Sequence, residues 1–211
     1  MAKLAPGSFD SFSPLPARLP SIAQAKLPWR RFLLTAAIVA VLDQVSKFWV
    51  VANLTEAMAP EGASLSWWQR LERFWSVVHP LDAGVHTVLE PVWHLRYVEN
   101  PGAAWGFLSH SGWELRTPFF LLVSVVAMGF LLNYFRSTKS DEHRLRFGLA
   151  LVFGGAAGNF VDRSRLGYVI DFIDWHIGEQ YRWPTFNVAD AAITVGVSLL
   201  LMDMARPVRR A

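Results

Sequence analysis

Near the end of this chain, an Asp and an Asn stand at the mouth of an apolar run, FNVADAAITVGVSLLLMDM. A carboxylate beside a bilayer-length apolar segment is costly, which makes Asp190 and Asn187 candidates for chemistry. Similar residues recur upstream. Asp43 and Lys47 lie one turn apart in LDQVSK, Asn159 and Asp162 lie in GNFVDR, and Asp171 follows a short apolar run in YVIDF. The set is rich in carboxylates and amides and poor in bases. Burial and like charge both raise a carboxylate pKa, and a close Asp pair titrates as a unit that shares one proton. That is the state two-carboxylate hydrolysis needs. One Asp takes a proton from water, while the other hydrogen-bonds the scissile carbonyl and then helps to protonate the leaving amine.

Other chemistries find little support. The chain has no Cys, which excludes disulfides, thiol nucleophiles and Cys-ligated metal. It lacks G-x-S-x-G, H-E-x-x-H and P-loop patterns. Its His residues are scattered, with no pair at ligand spacing on one helix, so neither a metal nor a cofactor is expected. His176 reads as a loop residue. Asp43 and Lys47 equally suit a structural ion pair. Asp162 reads as structural, bonded to Arg163 or to helix ends, and Asp190 suits a helix N-cap as well as catalysis.

The elements that must hold these groups are apolar. The sequence is 53% hydrophobic and 18% charged, below the charge content of about 25% usual for a soluble domain. A net charge of +3 is too small to suggest nucleic acid as a partner. About 20 apolar residues cross a bilayer as a helix. Candidate spans are Phe32 to Ala52, Pro118 to Tyr134, Leu145 to Val161 and Val188 to Met204. Lys26, Arg30 and Arg31 precede the first span. Arg136, Lys139, Arg144 and Arg146 link the second and third, and Arg206, Arg209 and Arg210 end the chain. The positive-inside bias therefore puts both termini in the cytoplasm and both long loops outside. The polar residues then fall at one level, at or just below the outer surface.

Residues 1–29, rich in Pro and Ser, read as a flexible cytoplasmic tail before one membrane domain over 30–211. In SWWQRLERFWSVVH the aromatic residues Trp67, Trp68, Phe74 and Trp75 recur at helical spacing, as in a helix lying in the outer interface. VWHLRYVENPGAAWGFL alternates like a strand, turns near Asn100-Pro101-Gly102 and continues extended, which fits a small sheet on the membrane.

The stretches LDQVSK, ENPGAAWGFL, GGAAGNFVDRSRLGYVIDFI and FNVADAAITVG resemble, in order, the blocks of lipoprotein signal peptidase, the bacterial signal peptidase II family. The resemblance runs from about Leu27 to Met204. It implies an aspartic endopeptidase of the cytoplasmic membrane, built as a mainly α bundle of four transmembrane helices with a small extracytoplasmic β-cradle and an interfacial helix. The implied substrate is a prolipoprotein carrying diacylglycerol on its lipobox Cys, cut just before that Cys. Asp171 and Asp190 match the catalytic pair. Asn159, Asp162, Arg163 and Asn187 match supporting positions, and Asp43, Lys47 and Asn100 match further shared ones. No cofactor is implied. The expected partners are the lipidated substrate and membrane lipids, and the chain is expected to be a monomer. The first loop is longer than in shorter relatives, and Pro101 and Trp105 stand where smaller residues are expected. A groove lined by Gly154, Gly155 and Gly158 would suit acyl chains. The rival readings are a proton-coupled membrane transporter, which predicts acids near the midplane and repeated halves, and a non-catalytic assembly protein with the polar cluster as glue.

Overall fold

A computed structural model describes residues 22–58, 64–82, 84–102, 113–178 and 180–205. Most of the expected tail, the extended piece after the Asn100 turn and the basic C-terminal residues lie outside these. The described chain is mainly helical, with one small sheet. In order it forms α1 (Ile22–Leu54), a 3-10 turn (Glu56–Met58), α2 (Trp67–Ser76), β1 (Val85–Leu89) and β2 (Trp93–Asn100). Then follow α3 (Trp113–Ser137), α4 (His143–Leu166), β3 (Val169–Ile177), β4 (Tyr181–Arg182) and α5 (Val188–Met204). Two stretches, Trp29–Leu54 and Arg116–Ser137, are long and apolar enough to cross a membrane. Their outer faces leave large apolar side chains uncovered, among them Leu34, Val41 and Val45 on α1 and Leu122, Val126 and Phe130 on α3.

Small residues set the helix spacing. A Cβ on Gly154 of α4 would stand 2.6 Å from the Ala36 carbonyl oxygen of α1, and one on Gly158 would stand 2.6 Å from Asp43 Oδ2. On the other side of α4, a Cβ on Gly155 would stand 2.5 Å from the Ala189 carbonyl oxygen of α5. Close backbone approach of this kind is how helices pack where water supplies no hydrophobic drive. It also removes the acyl-chain groove expected at these glycines: Gly154, Gly155 and Gly158 are filled by neighbouring helices.

The sheet runs β1-β2-β3-β4, with every pair antiparallel. Two of its strands leave little trace in the sequence. β1 lies inside the long first loop, and β3, which reads only as a link, is a nine-residue strand flanked on both sides. Val85 to Leu89 are all exposed, so β1 shows no buried alternation to betray it. β3 is buried on both faces over Val169 to Phe172, and a strand so enclosed reads as a short apolar run.

The sheet packs on the C-terminal end of α1 through Val50, Val51, Leu54, Phe74, Tyr97, Tyr168, Ile170 and Phe172. A second core at the other end of the bundle joins Phe32, Leu131, Phe135, Leu145 and Leu149. α2 opens on a capping box between Ser66 and Gln69, a local pattern that satisfies orphan N–H groups. Its Phe74 ring turns inward against Phe48, 5.4 Å between centroids, and Arg165 covers it and donates to its carbonyl. Trp67, Trp68 and Trp75 stay exposed.

Candidate active site

Three local features bring the polar residues to one place. Gly167 ends α4 at φ 80°, in the left-handed region that favours glycine, and its N–H bonds the Arg163 carbonyl at 3.0 Å. The chain thereby turns directly from α4 into β3, which delivers Asp171. Asn187 is the N-cap of α5, and Asp190 is the third residue of a reciprocal capping box. The cap role open to Asp190 thus falls on Asn187. Lastly, the glycine contacts above draw α1, α4 and α5 together.

Asn187 is fully buried and touches both carboxylates. Its Nδ2 donates to Asp171 Oδ1 at 2.7 Å, and its backbone N–H donates to Asp190 Oδ2 at 3.2 Å. Asn159 Nδ2 donates to Asp190 Oδ1 at 2.8 Å, and Asn159 Oδ1 accepts from Asn187 Nδ2 at 3.1 Å. From β2, Asn100 Nδ2 donates to Asp171 Oδ2 at 2.9 Å. Both carboxylates are thus held through both oxygens. Asp171 is 2% exposed, while Asp190 is only part-buried. Burial, then the negative charge of Asp190, pushes the Asp171 carboxyl from its ordinary 3.8 up to about 7.

Beneath this layer lies an ion cluster. Lys47 Nζ stands 2.7 Å from both Asp43 Oδ2 and Asp162 Oδ2 and donates to Asn159 Oδ1 at 3.1 Å. Asp43, Lys47 and Asp162 are wholly buried. The expected Asp43–Lys47 pair is therefore a triad, with one ammonium between two carboxylates. Backbone donors complete it. Ala189 N–H bonds Asp43 Oδ1 at 3.0 Å, and Ile170 N–H bonds Asp162 Oδ2 at 3.1 Å. These bonds tie the ion cluster to the residues just before Asp190 and Asp171. Of the two kinds of partner expected for Asp162, Arg163 or helix ends, Arg163 makes no hydrogen bond to it. Its partners include Lys47, Ile170 and Gln44, whose Nε2 donates to Asp162 Oδ1 at 2.9 Å. Arg163 instead lies over the Phe120 ring, 5.2 Å from its centroid, within the field of Asp190 and Asp171.

Asp43, Lys47, Asn100, Asn159, Asp162, Asp171, Asn187 and Asp190 thus form one connected network. Gln44 joins it without having been expected. The available signal is an amide inside an apolar span, next to Asp43. His176, expected in a loop, is buried on β3. Chemically, two bridged carboxylates at different burial, with amides around them, can activate a water and protonate a leaving group.

Residues 35–206 match the family model described as signal peptidase (SPase) II. The lipoprotein signal peptidase of Anaeromyxobacter sp. (strain Fw109-5) is 42% identical over 185 residues, 84% of this chain and 87% of that one. That of Geobacter sulfurreducens is 50% identical over 123 residues, 58% of this chain and 75% of that one. A bacterial membrane enzyme solved by the in meso method at 2.3 Å superposes with a TM-score of 0.61 at 27% identity, covering 86% of this chain and 93% of the other.

Proposed function

The chain belongs to the signal peptidase II family, and on that premise we propose that Asp171 and Asp190 are the catalytic pair of a lipoprotein signal peptidase. The enzyme is an aspartic endopeptidase that removes the signal peptide from diacylglyceryl-modified prolipoproteins by cutting before the lipidated Cys. The observation that carries the site assignment is Asn187, which hydrogen-bonds both Asp171 and Asp190 and so fixes them to one another.

In the proposed step Asp171 carries the shared proton, because its buried carboxyl ionises only near pH 7. Asp190, less buried and accepting two N–H bonds, takes a proton from water. The water oxygen adds to the carbonyl carbon before the Cys as Asp171 protonates the carbonyl oxygen. The C–N bond then breaks as the proton held by Asp190 passes to the leaving amine and Asp171 takes back a hydroxyl proton from the intermediate, which restores both side chains. Asn159, Asn187 and Asn100 orient the carboxylates, and Asp43, Lys47 and Asp162 anchor β3 and α5, which carry them. Arg163 supplies positive charge near the pair.

α4 and α5 join α1 and α3 as membrane spans in one peptidase domain from about residue 30 onward, acting as a monomer. The uncovered apolar faces of α1 and α3 support contact with lipid. The basic link between α3 and α4 supports a cytoplasmic location for that end and for both termini, with the dyad near the outer surface of the inner membrane. The exposed Trp67, Trp68 and Trp75 support α2 as an interfacial helix. Purified protein in detergent with a lipidated prolipoprotein tests the assignment. Asp171→Asn and Asp190→Asn should each abolish cleavage while remaining folded, and retained cleavage removes that Asp from the mechanism.

A further inference from the structure

At the end of the sheet away from the dyad, a second set of groups converges. Glu90 lies in the turn between β1 and β2, His94 on β2 and His176 on β3. One ligand atom from each lies within 4.8 Å of the other two. His94 Nε2 and Glu90 Oε1 are 3.0 Å apart, and the His94 and His176 ring centroids are 4.3 Å apart. His176 is 7% exposed, and its Nδ1 is buried without a hydrogen-bond partner. An unsatisfied buried nitrogen carries an unrecovered desolvation cost, so it invites a ligand. Strand register produces the meeting. His94 pairs with Asp174, and His176 follows two residues later, on the same face of β3.

We propose that Glu90, His94 and His176 form a divalent transition-metal site of zinc type. Two imidazoles and one carboxylate are the donor set zinc accepts, with a fourth position left for water. Magnesium and calcium prefer all-oxygen shells. Tetrahedral zinc with bonds of about 2.0–2.1 Å holds its ligand atoms about 3.4 Å apart. Closing from 4.8 Å is a side-chain adjustment, and the exposed Glu90 is free to make it. The neighbouring Arg96 and Arg182 both pair with Asp174, Arg96 Nε at 3.2 Å from Oδ2, which offsets one of their two charges, and the Glu90 carboxylate offsets the other. The bound ion clamps the β1–β2 turn onto β3. Glu90 and His94 are four residues apart, but His176 joins them only across strands, which hides the site from sequence spacing.

The test is titration of the full chain, purified in detergent without a polyhistidine tag, with cobalt(II) and then zinc(II). The expected result is one cobalt per chain with visible d–d absorption, bleached by zinc, and a zinc-dependent rise in Tm. His94→Ala and His176→Ala should abolish the band. Glu90→Gln changes an exposed side chain and leaves folding intact, and it should weaken binding at least about tenfold. Absence of stoichiometric cobalt binding by the wild type overturns the site, as does binding that Glu90→Gln and His94→Ala leave unchanged.

Discussion

Asn187 donates its side-chain amide to Asp171 at 2.7 Å while its own backbone N–H is held by Asp190, so one residue sets the spacing of both carboxylates. The same side chain caps α5. Asn187→Ala should therefore have two separable effects. Loss of the cap should lower stability by about 1 kcal/mol. Loss of alignment should lower kcat by about 100-fold or more, because misplacement of about 1 Å carries that cost. Thermal unfolding and cleavage rates measured on one preparation distinguish them. An unchanged kcat would remove Asn187 from the alignment of the pair.

Asp171 should leave a signature in the pH dependence of stability. Its carboxyl is raised from 3.8 to about 7 in the folded chain. Between those values the native state binds more protons than the unfolded state, so stability falls as pH rises through this window. Asp171→Asn cannot ionise. Its stability relative to wild type should rise from about pH 4 to about pH 7 and level off above, as read from denaturation at several pH values. A pH-independent difference would contradict the raised carboxyl.

The alkaline limb of activity should follow from Asp171. Cleavage that needs Asp171 protonated should decline above about pH 7. Measured kcat/KM should therefore fall above about pH 7, and a rate still climbing through about pH 8 would remove the requirement for a protonated Asp171.

Lys47 lies between two wholly buried carboxylates, 2.7 Å from each. Lys47→Met leaves Asp43 and Asp162 uncompensated and should cost about 3–5 kcal/mol. Adding Asp43→Asn should recover part of the loss, since one fewer charge is stranded. Unfolding of single and double variants measures this coupling, and additive losses would mean that the triad is not a unit.

Gly155 tests packing against substrate binding. A Cβ there would stand 2.5 Å from the Ala189 carbonyl oxygen and 2.8 Å from Ile193 Cγ1, beside the N-terminal turn of α5 that carries Asp190. Gly155→Leu should abolish folding outright, and Gly155→Ala should cost about 1–3 kcal/mol as overpacking. A folded Gly155→Leu variant with only a raised KM would restore the acyl-chain groove that the structure fills.

The sequence by itself determined the apolar helices and the polar residues that interrupt them. Apolar length is a local property, so α1, α3, α4 and α5 fall close to the stretches read from composition. A charged or amide side chain in such a stretch stands out without any knowledge of neighbours, which is why Asp43, Lys47, Asn159, Asn187 and Asp190 are legible in the chain alone. Tertiary structure alone decided who meets whom. Asp162 takes Lys47 and Gln44 rather than Arg163, β3 is a strand because β2 and β4 flank it, and Gly155 faces α5 rather than a groove. His94 and His176 meet across a register that spacing along one helix does not encode. The physical reason is common to all of these: burial and pairing are relations between distant segments, and they exist only once the glycine contacts and strand register have fixed the distances.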